Sequence, residues 1–193
     1  MMKNVAVYCA SSTQLDEKYY RAARELGAEL GKRGLTVVNG AGNMGLMQVS
    51  ADACMEAGGE AIGVIPTFMI EQNWHHRGMT QLIETATMEE RKATIERLSD
   101  AAVILPGGIG TFDEFFQIAT LKQLGLYPHP IVILNVDGYF DPMLEMLQRA
   151  MDENFMRDIH AGIWRVATTA TEAVELLLST PLWDSSIRRF AKI

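Results

Sequence analysis

The sequence predicts a doubly wound, Rossmann-like α/β domain: a parallel sheet with helices on both faces. Three observations predict it. Short β-type runs alternate with longer helical patterns along the chain. The runs are mostly apolar throughout, as strands buried on both faces require. Glycine-rich turns stand where two of those runs give way to helices. With right-handed crossovers, this alternation leads to a layered parallel sheet. The 193 residues, 48% of them hydrophobic and 21% charged, suit one domain over residues 1–193.

The elements follow in order. Residues 5–9 (Val-Ala-Val-Tyr-Cys) form a compact apolar run. Tyr19, Ala23, Leu26 and Leu30 then recur at i, i+4, i+7 and i+11, one face of a helix. Residues 35–38 make the second run, followed by a glycine turn and a helix over residues 45–57. Further runs span residues 61–65, 81–86, 101–105 and 131–134. Between the last two, Phe112, Phe115, Phe116 and Ala119 mark a helical core face. Asp141-Pro142 reads as an N-cap followed by proline at N1, with Leu144, Leu147 and Met151 on the buried stripe. Thr169-Ala-Thr-Glu172 has the capping-box pattern and opens a last helix. Residues 66–80, with Trp74, His75, His76 and Arg77, are the least regular stretch, and both histidines read as solvated or interface residues. In the tail, Trp183, Ile187 and Phe190 keep roughly helical spacing, which implies packing on this domain or on a neighbouring subunit.

Composition narrows the function. A net charge of −7 argues against a broad nucleic-acid surface, which needs clustered Lys and Arg. It does not argue against a small anion held by backbone N–H groups. Cys9 and Cys54 are too few for a disulfide framework and lack metal-type spacing, so they read as reduced, buried thiols. No apolar run approaches the roughly 18 residues of a membrane span, and the apolar start is too short for a signal peptide. The cytoplasm is the expected location. Glu71 and His75 stand at i, i+4 without a third ligand, so no metal site is expected.

In an open α/β sheet, ligands sit at the carboxyl ends of the strands. Two glycine loops occupy such places. Residues 39–47 (Asn-Gly-Ala-Gly-Asn-Met-Gly-Leu-Met) follow the second run, and Gly40, Gly42 and Gly45 fit G-x-G-x-x-G. Residues 106–111 (Pro-Gly-Gly-Ile-Gly-Thr) follow the run at 101–105 and end in a hydroxyl. Each leads into a helix N-terminus, where free N–H groups and the dipole favour an anion. Steric need alone also places glycines in strand–helix turns, and pattern does not separate the two readings for the first loop. Neither loop is a P-loop, since no Gly-Lys-Ser/Thr follows.

Charged residues flank these loops. Glu89, Glu90, Arg91 and Lys92 follow the run at 81–86, and Asp113 and Glu114 follow the second loop. Arg91 stands near a helix start, where the dipole disfavours a cation, so a local anion would account for it. Thr87-x-x-Glu90 and Thr111-x-x-Glu114 both also match the capping box, which would make each glutamate a helix cap. Periodicity leaves both readings open.

Pro106-Gly-Gly-Ile-Gly-Thr-Phe-Asp-Glu114 matches the PGGxGTxxE signature in full, with Met88-Glu-Glu-Arg-Lys92 as its upstream Arg-Lys element. Residues 40–47 resemble the GGGxxGLM loop, and Cys9-Ala-Ser-Ser12 resembles a Ser-containing first turn. Together they resemble the Lonely-guy family of cytokinin riboside 5′-monophosphate phosphoribohydrolases, from Lys3 to about Leu178. Ala41 departs from the family's usual glycine, and Ala10 is a small change in the first turn.

The resemblance implies a Rossmann-like homodimer that binds a purine nucleoside monophosphate, AMP or a cytokinin nucleotide, and hydrolyses its N-glycosidic bond. It implies phosphate binding by Gly107, Gly108, Gly110 and Thr111, with Gly42, Gly45, Met88 and Lys92 also at the substrate. Arg91 and Glu114 are the implied catalytic pair. Met44, Met47 and Met88 are candidates for the base pocket or for core filling. In the expected mechanism Glu114 acts on the attacking water or the cationic ribosyl centre, with Arg91 holding it ionised. Water, Asp113 and Glu84 are the candidate proton donors to the leaving base. No metal or cofactor is expected. A name often given to such proteins, lysine decarboxylase, would need a Schiff-base lysine, and only Lys92 lies near a motif. Two rival readings use the same fold: a non-catalytic nucleotide carrier, and a purely structural module.

Overall fold

The computed structural model describes residues 2–186. Its strands β1 (Asn4–Tyr8), β2 (Thr36–Asn39), β3 (Glu60–Pro66), β4 (Gln81–Thr85), β5 (Ala101–Ile104), β6 (Ile131–Leu134) and β7 (Arg165–Ala167) form one sheet in the order β4-β3-β2-β1-β5-β6-β7. Every pairing is parallel, as in Val5 opposite Val37 on one side and Ala101 on the other. The chain winds outward from β1 to β4, then returns to the far side of β1 with β5. That reversal makes the carboxyl ends of β1 and β5 the topological switch point.

Helices α1 (Glu17–Lys32), α2 (Gly45–Glu56), α3 (Thr67–Glu71), α4 (Met88–Leu98), α5 (Ile109–Gln123), α6 (Asp141–Asp152) and α7 (Ala170–Ser179) connect the strands. Strand alternation divides the core in two. Val5, Val7, Val103 and Val132 pack with Leu26, Leu30, Leu46 and Val174 under α1, α2 and α7. Ala6, Tyr8, Ile104 and Ile133 pack with Ile95, Phe115, Ile118 and Phe140 under α4, α5 and α6. Each fully buried Leu or Phe contributes about 1.5–3 kcal/mol, so both layers are needed to hold the sheet. On the first face, α1 and α2 meet at backbone distance. A Cβ on Gly27 would stand 2.2 Å from the Ser50 carbonyl oxygen, and one on Gly31 would stand 2.3 Å from that of Cys54.

The structure departs from expectation at three places, and at a fourth, Trp183, it takes one of the two readings left open. β7 is an additional strand: three residues on an edge, with Arg165 and Val166 exposed, are too few to show a period. Asp141 is not the cap of α6. The helix opens at Asp141 with Phe140 as its cap residue, and the Asp141 carboxylate instead accepts from Asn135 Nδ2 at 2.7 Å. Phe116 is 43% exposed, not on the core face, because it stands about 100° around the helix from fully buried Phe115. Trp183 packs on this domain: its backbone N–H donates to the Pro128 carbonyl at 2.7 Å, and its ring lies 5.6 Å from the Lys122 ammonium. Ile187 and Phe190 lie outside the described residues.

Candidate active site

A cavity of about 640 Å³ opens at the switch point. The turn after β1 (Cys9, Ala10, Ser11, Ser12), the loop after β2 (Gly40, Gly42, Asn43, Met44) and the start of α5 (Gly108 to Thr111, then Glu114) line it. Ile65, Met69, Trp74, Met47, Met88 and Arg91 complete the wall. One side is therefore polar and rich in backbone amides, and the other is apolar and rich in methionine.

The backbone explains the amide side. α5 is capped by Gly108 with no side-chain hydrogen bond, so its first N–H groups have no intrahelical acceptor. They open on the cavity at the positive end of the helix dipole, a setting for an anion. A Cβ on Gly108 or Gly110 would meet nothing within 4 Å, which leaves space for a ligand. Gly107 and Gly45 do not line the cavity. A Cβ on Gly107 would stand 2.1 Å from Thr111 Oγ1, and one on Gly45, whose φ is +66°, would stand 2.7 Å from the Ser12 carbonyl oxygen. These two glycines shape the loops from behind. Ala41, the departure from the family pattern, takes φ +55° and is wholly buried, so its methyl points into the protein and not toward a ligand.

Arg91 and Glu114 come together at the floor. Arg91 is 6% exposed, on the first turns of α4, and donates from Nε to the Val64 carbonyl and from Nη2 to the Gly40 carbonyl, each at 3.1 Å. The ends of β2 and β3 thus orient the guanidinium. Gly40 leaves room for it: a Cβ there would stand 1.5 Å from Nη2. Glu114 is 8% exposed, lines the cavity and takes no hydrogen bond among the described residues. Burial pushes its carboxyl up to about 7, with Arg91 pulling it down more weakly and Asp113 adding to the rise. Arg91 thus favours the ionised form, in the expected direction, but desolvation outweighs the nearby cation.

The capping question resolves differently at the two sites. Thr87 Oγ1 accepts from Glu90 N at 3.1 Å, and Glu90 reaches back to Ala86 N at 2.7 Å, so Glu90 is a cap. Thr111 is already inside α5, and its glutamate faces the cavity instead. Lys92 does not line the cavity; its ammonium pairs with Asp113 at 2.9 Å between α4 and α5. Glu84 bonds Thr67 Oγ1 at 2.6 Å, also outside the lining. Among the described residues no lysine lines the cavity, so these offer it no Schiff-base residue.

Three further contributions have no clear mark in the sequence pattern. Trp74 and Met69 come from the irregular stretch 66–80, which folds as α3 and a bridge between Gly42 and His75. Its position just after β3 is the one available signal. His76 is not solvated: its Nε2 meets Asp52 Oδ1 at 2.8 Å while its Nδ1 accepts from Gly78 N, so it pins this wall to α2. Asn43 donates to the Asn73 carbonyl at 2.9 Å across the same seam. Among the described residues, no three His, Cys, Asp or Glu side chains are grouped to hold a metal ion, and no helix is long and apolar enough to cross a membrane.

Comparison with known proteins agrees with this layout. A family model described as possible lysine decarboxylase matches residues 47–177. A cytokinin riboside 5′-monophosphate phosphoribohydrolase of Arabidopsis thaliana is 38% identical over 175 residues, covering 91% of this chain and 77% of its own. One of Oryza sativa subsp. japonica is 37% identical over 172 residues, covering 89% and 71%. Among solved structures, the molybdenum cofactor carrier protein of Chlamydomonas reinhardtii superposes with a TM-score of 0.70 at 22% identity, covering 93% of this chain and 100% of that one. The molybdenum cofactor binding protein of Rippkaea orientalis gives 0.71 at 18% identity, with 93% and 97% covered. At such identities the structural likeness is one of fold.

Proposed function

The chain belongs to the Lonely-guy family of cytokinin riboside 5′-monophosphate phosphoribohydrolases, and we propose that it hydrolyses AMP or a cytokinin riboside 5′-monophosphate to free base and ribose 5-phosphate. The observation that carries this reading is Glu114: a buried carboxyl facing the cavity beside Arg91 and one turn from the open amides of α5. A carrier has less use for such a group next to a phosphate.

In the proposed complex the 5′-phosphate sits on the amides of Gly108 to Thr111 with the Thr111 hydroxyl, and the base lies against Met44, Met47, Met88 and Trp74. The ribose then spans Arg91 and Glu114. As the C1′–N9 bond breaks, positive charge builds on the ribosyl centre and the Glu114 carboxylate stabilises it. Water attacks C1′ and gives its proton to that carboxylate. The leaving purine takes a proton from solvent, since Asp113 and Glu84 do not reach the cavity. The chain's own residues suffice for this scheme, without a metal or cofactor. We place the enzyme in the cytoplasm, in keeping with two free, buried cysteines, and read it as a homodimer through the exposed face of α5.

The test is base release, followed by chromatography, from AMP and isopentenyladenosine 5′-monophosphate, each beside its dephosphorylated nucleoside. Release from monophosphates only, lost in Glu114→Gln, is the expected result. Tight AMP binding without any base release would sink the hydrolase reading and favour a nucleotide carrier.

A further inference from the structure

The turn between β6 and α6, residues 135–140, braces the α5 loop from outside the cavity. Tyr139 Oη donates to the Gly107 carbonyl oxygen at 2.7 Å. The turn is shaped to place that hydroxyl. Asp137 and Gly138 take φ of +51° and +71° in succession, a conformation costly for a non-glycine residue. Asp137 is tied to α1 through an ion pair with Lys18, and the Tyr19 ring packs edge-on against Tyr139 with centroids 5.8 Å apart. Asn135 closes the turn, accepting from Phe140 N at 2.8 Å.

Tyr139 does not line the cavity, whereas Gly108 does. In a trans peptide the carbonyl of Gly107 and the N–H of Gly108 point opposite ways. A donor that anchors the carbonyl on the outer side therefore turns the N–H toward the cavity. The same hydrogen bond polarises the peptide and strengthens its N–H as a donor.

We propose that Tyr139 is a positioning residue for the substrate's phosphate: by holding the Gly107 carbonyl it sets the Gly107–Gly108 peptide so that its N–H meets the anion. The inference rests on the phosphate site proposed above. It concerns the phosphate end alone, so loss of the hydroxyl should leave recognition of the base and the chemical step intact.

The test compares wild-type protein with Tyr139→Phe, which keeps the ring against Tyr19 and Phe140, by calorimetric titration with ribose 5-phosphate and with adenine. Ribose 5-phosphate binding weakens by about 5- to 10-fold, the size of one lost hydrogen bond, and adenine binding changes by less than about twofold. KM for AMP rises by the same factor while kcat is held. Lys18→Met, which loosens the turn without touching Tyr139, gives a smaller loss in the same direction and serves should the phenylalanine variant not fold. Equal ribose 5-phosphate affinity in the wild type and both variants overturns the proposal. So does a parallel loss of adenine binding, which marks a merely structural role, or a wild type that binds no ribose 5-phosphate. Selective weakening without base release from any protein keeps the positioning role and removes the hydrolase.

Discussion

Burial raises the Glu114 carboxyl from the usual carboxylate range to about 7, and this has consequences for both stability and rate. The folded protein keeps a proton there that the unfolded chain has already lost, so the group's contribution to stability is present at low pH and is lost as pH rises through about 7. For catalysis the carboxylate must be ionised. The rate kcat/KM is therefore expected to climb with pH through an inflection near 7, apart from any limb near 6 that belongs to the substrate phosphate. Glu114→Gln should lack the upper limb, run about 10²- to 10⁴-fold slower, and melt at a higher temperature than wild type at pH 8. A wild-type profile that stays flat across neutral pH would remove Glu114 as the base. The pair was only half legible in the sequence. Thr87-x-x-Glu90 and Thr111-x-x-Glu114 have the same pattern, yet α5 starts at Ile109, which puts Thr111 inside the helix and frees Glu114 from capping. That three-residue shift of the cap, from Thr111 to Gly108, depends on the unhindered backbone of Gly108, and the family signature, not periodicity, pointed to Glu114.

The loop after β2 shows the same dependence on tertiary contacts. Ala41 holds a left-handed φ of +55°, and its buried methyl faces β3, where a Cβ on Gly63 would stand 2.5 Å away. A glycine on β3 thus makes room for an alanine in the loop, a pairing no local pattern reveals. Gly63→Ala forces two backbone-anchored methyls together and is expected to cost about 2–3 kcal/mol in urea unfolding. The other neighbours of such a methyl, Met79 Cε at 3.0 Å and Leu82 Cδ1 at 3.2 Å, are side-chain ends that can shift. Ala41→Gly relieves the positive φ but loses a buried methyl, so alone it should change stability by less than about 1 kcal/mol. Combined with Gly63→Ala it should restore most of the loss. Strict additivity of the two changes would show that the contact does not limit this site. The strands β1, β2, β3, β5 and β6 were legible because each is an apolar run between turn residues. β7 was not, being three residues on an edge where neighbouring strands, not its own sequence, decide its state.

Over the whole molecule, the run of strands and helices was enough to foresee a doubly wound sheet, but not which surfaces remain uncovered. α5 is apolar on two sides. Phe115, Ile118 and Ala119 face the core, while Ile109, Phe116 and Leu124 lie outward with 87%, 43% and 41% of their surface exposed. A helix apolar on opposite faces normally has both covered. Its outward stripe begins at the rim of the cavity, since Ile109 is itself a lining residue. A second copy of the chain packed there would cover the stripe and shelter the mouth of the site from water, which strengthens the electrostatic interactions within. Light scattering is therefore expected to give twice the 21.4 kDa chain mass. Phe116 touches no proposed substrate position, so Phe116→Glu tests the surface without altering the site. The added charge should yield a monomer whose sheet remains folded by circular dichroism, because Phe115 loses the Phe116 ring at 5.0 Å but stays buried against Trp164. If the face also shelters the cavity, that monomer should show a raised KM. A wild-type monomer in solution would remove the dimer, and a Phe116→Glu dimer would place the contact on another face.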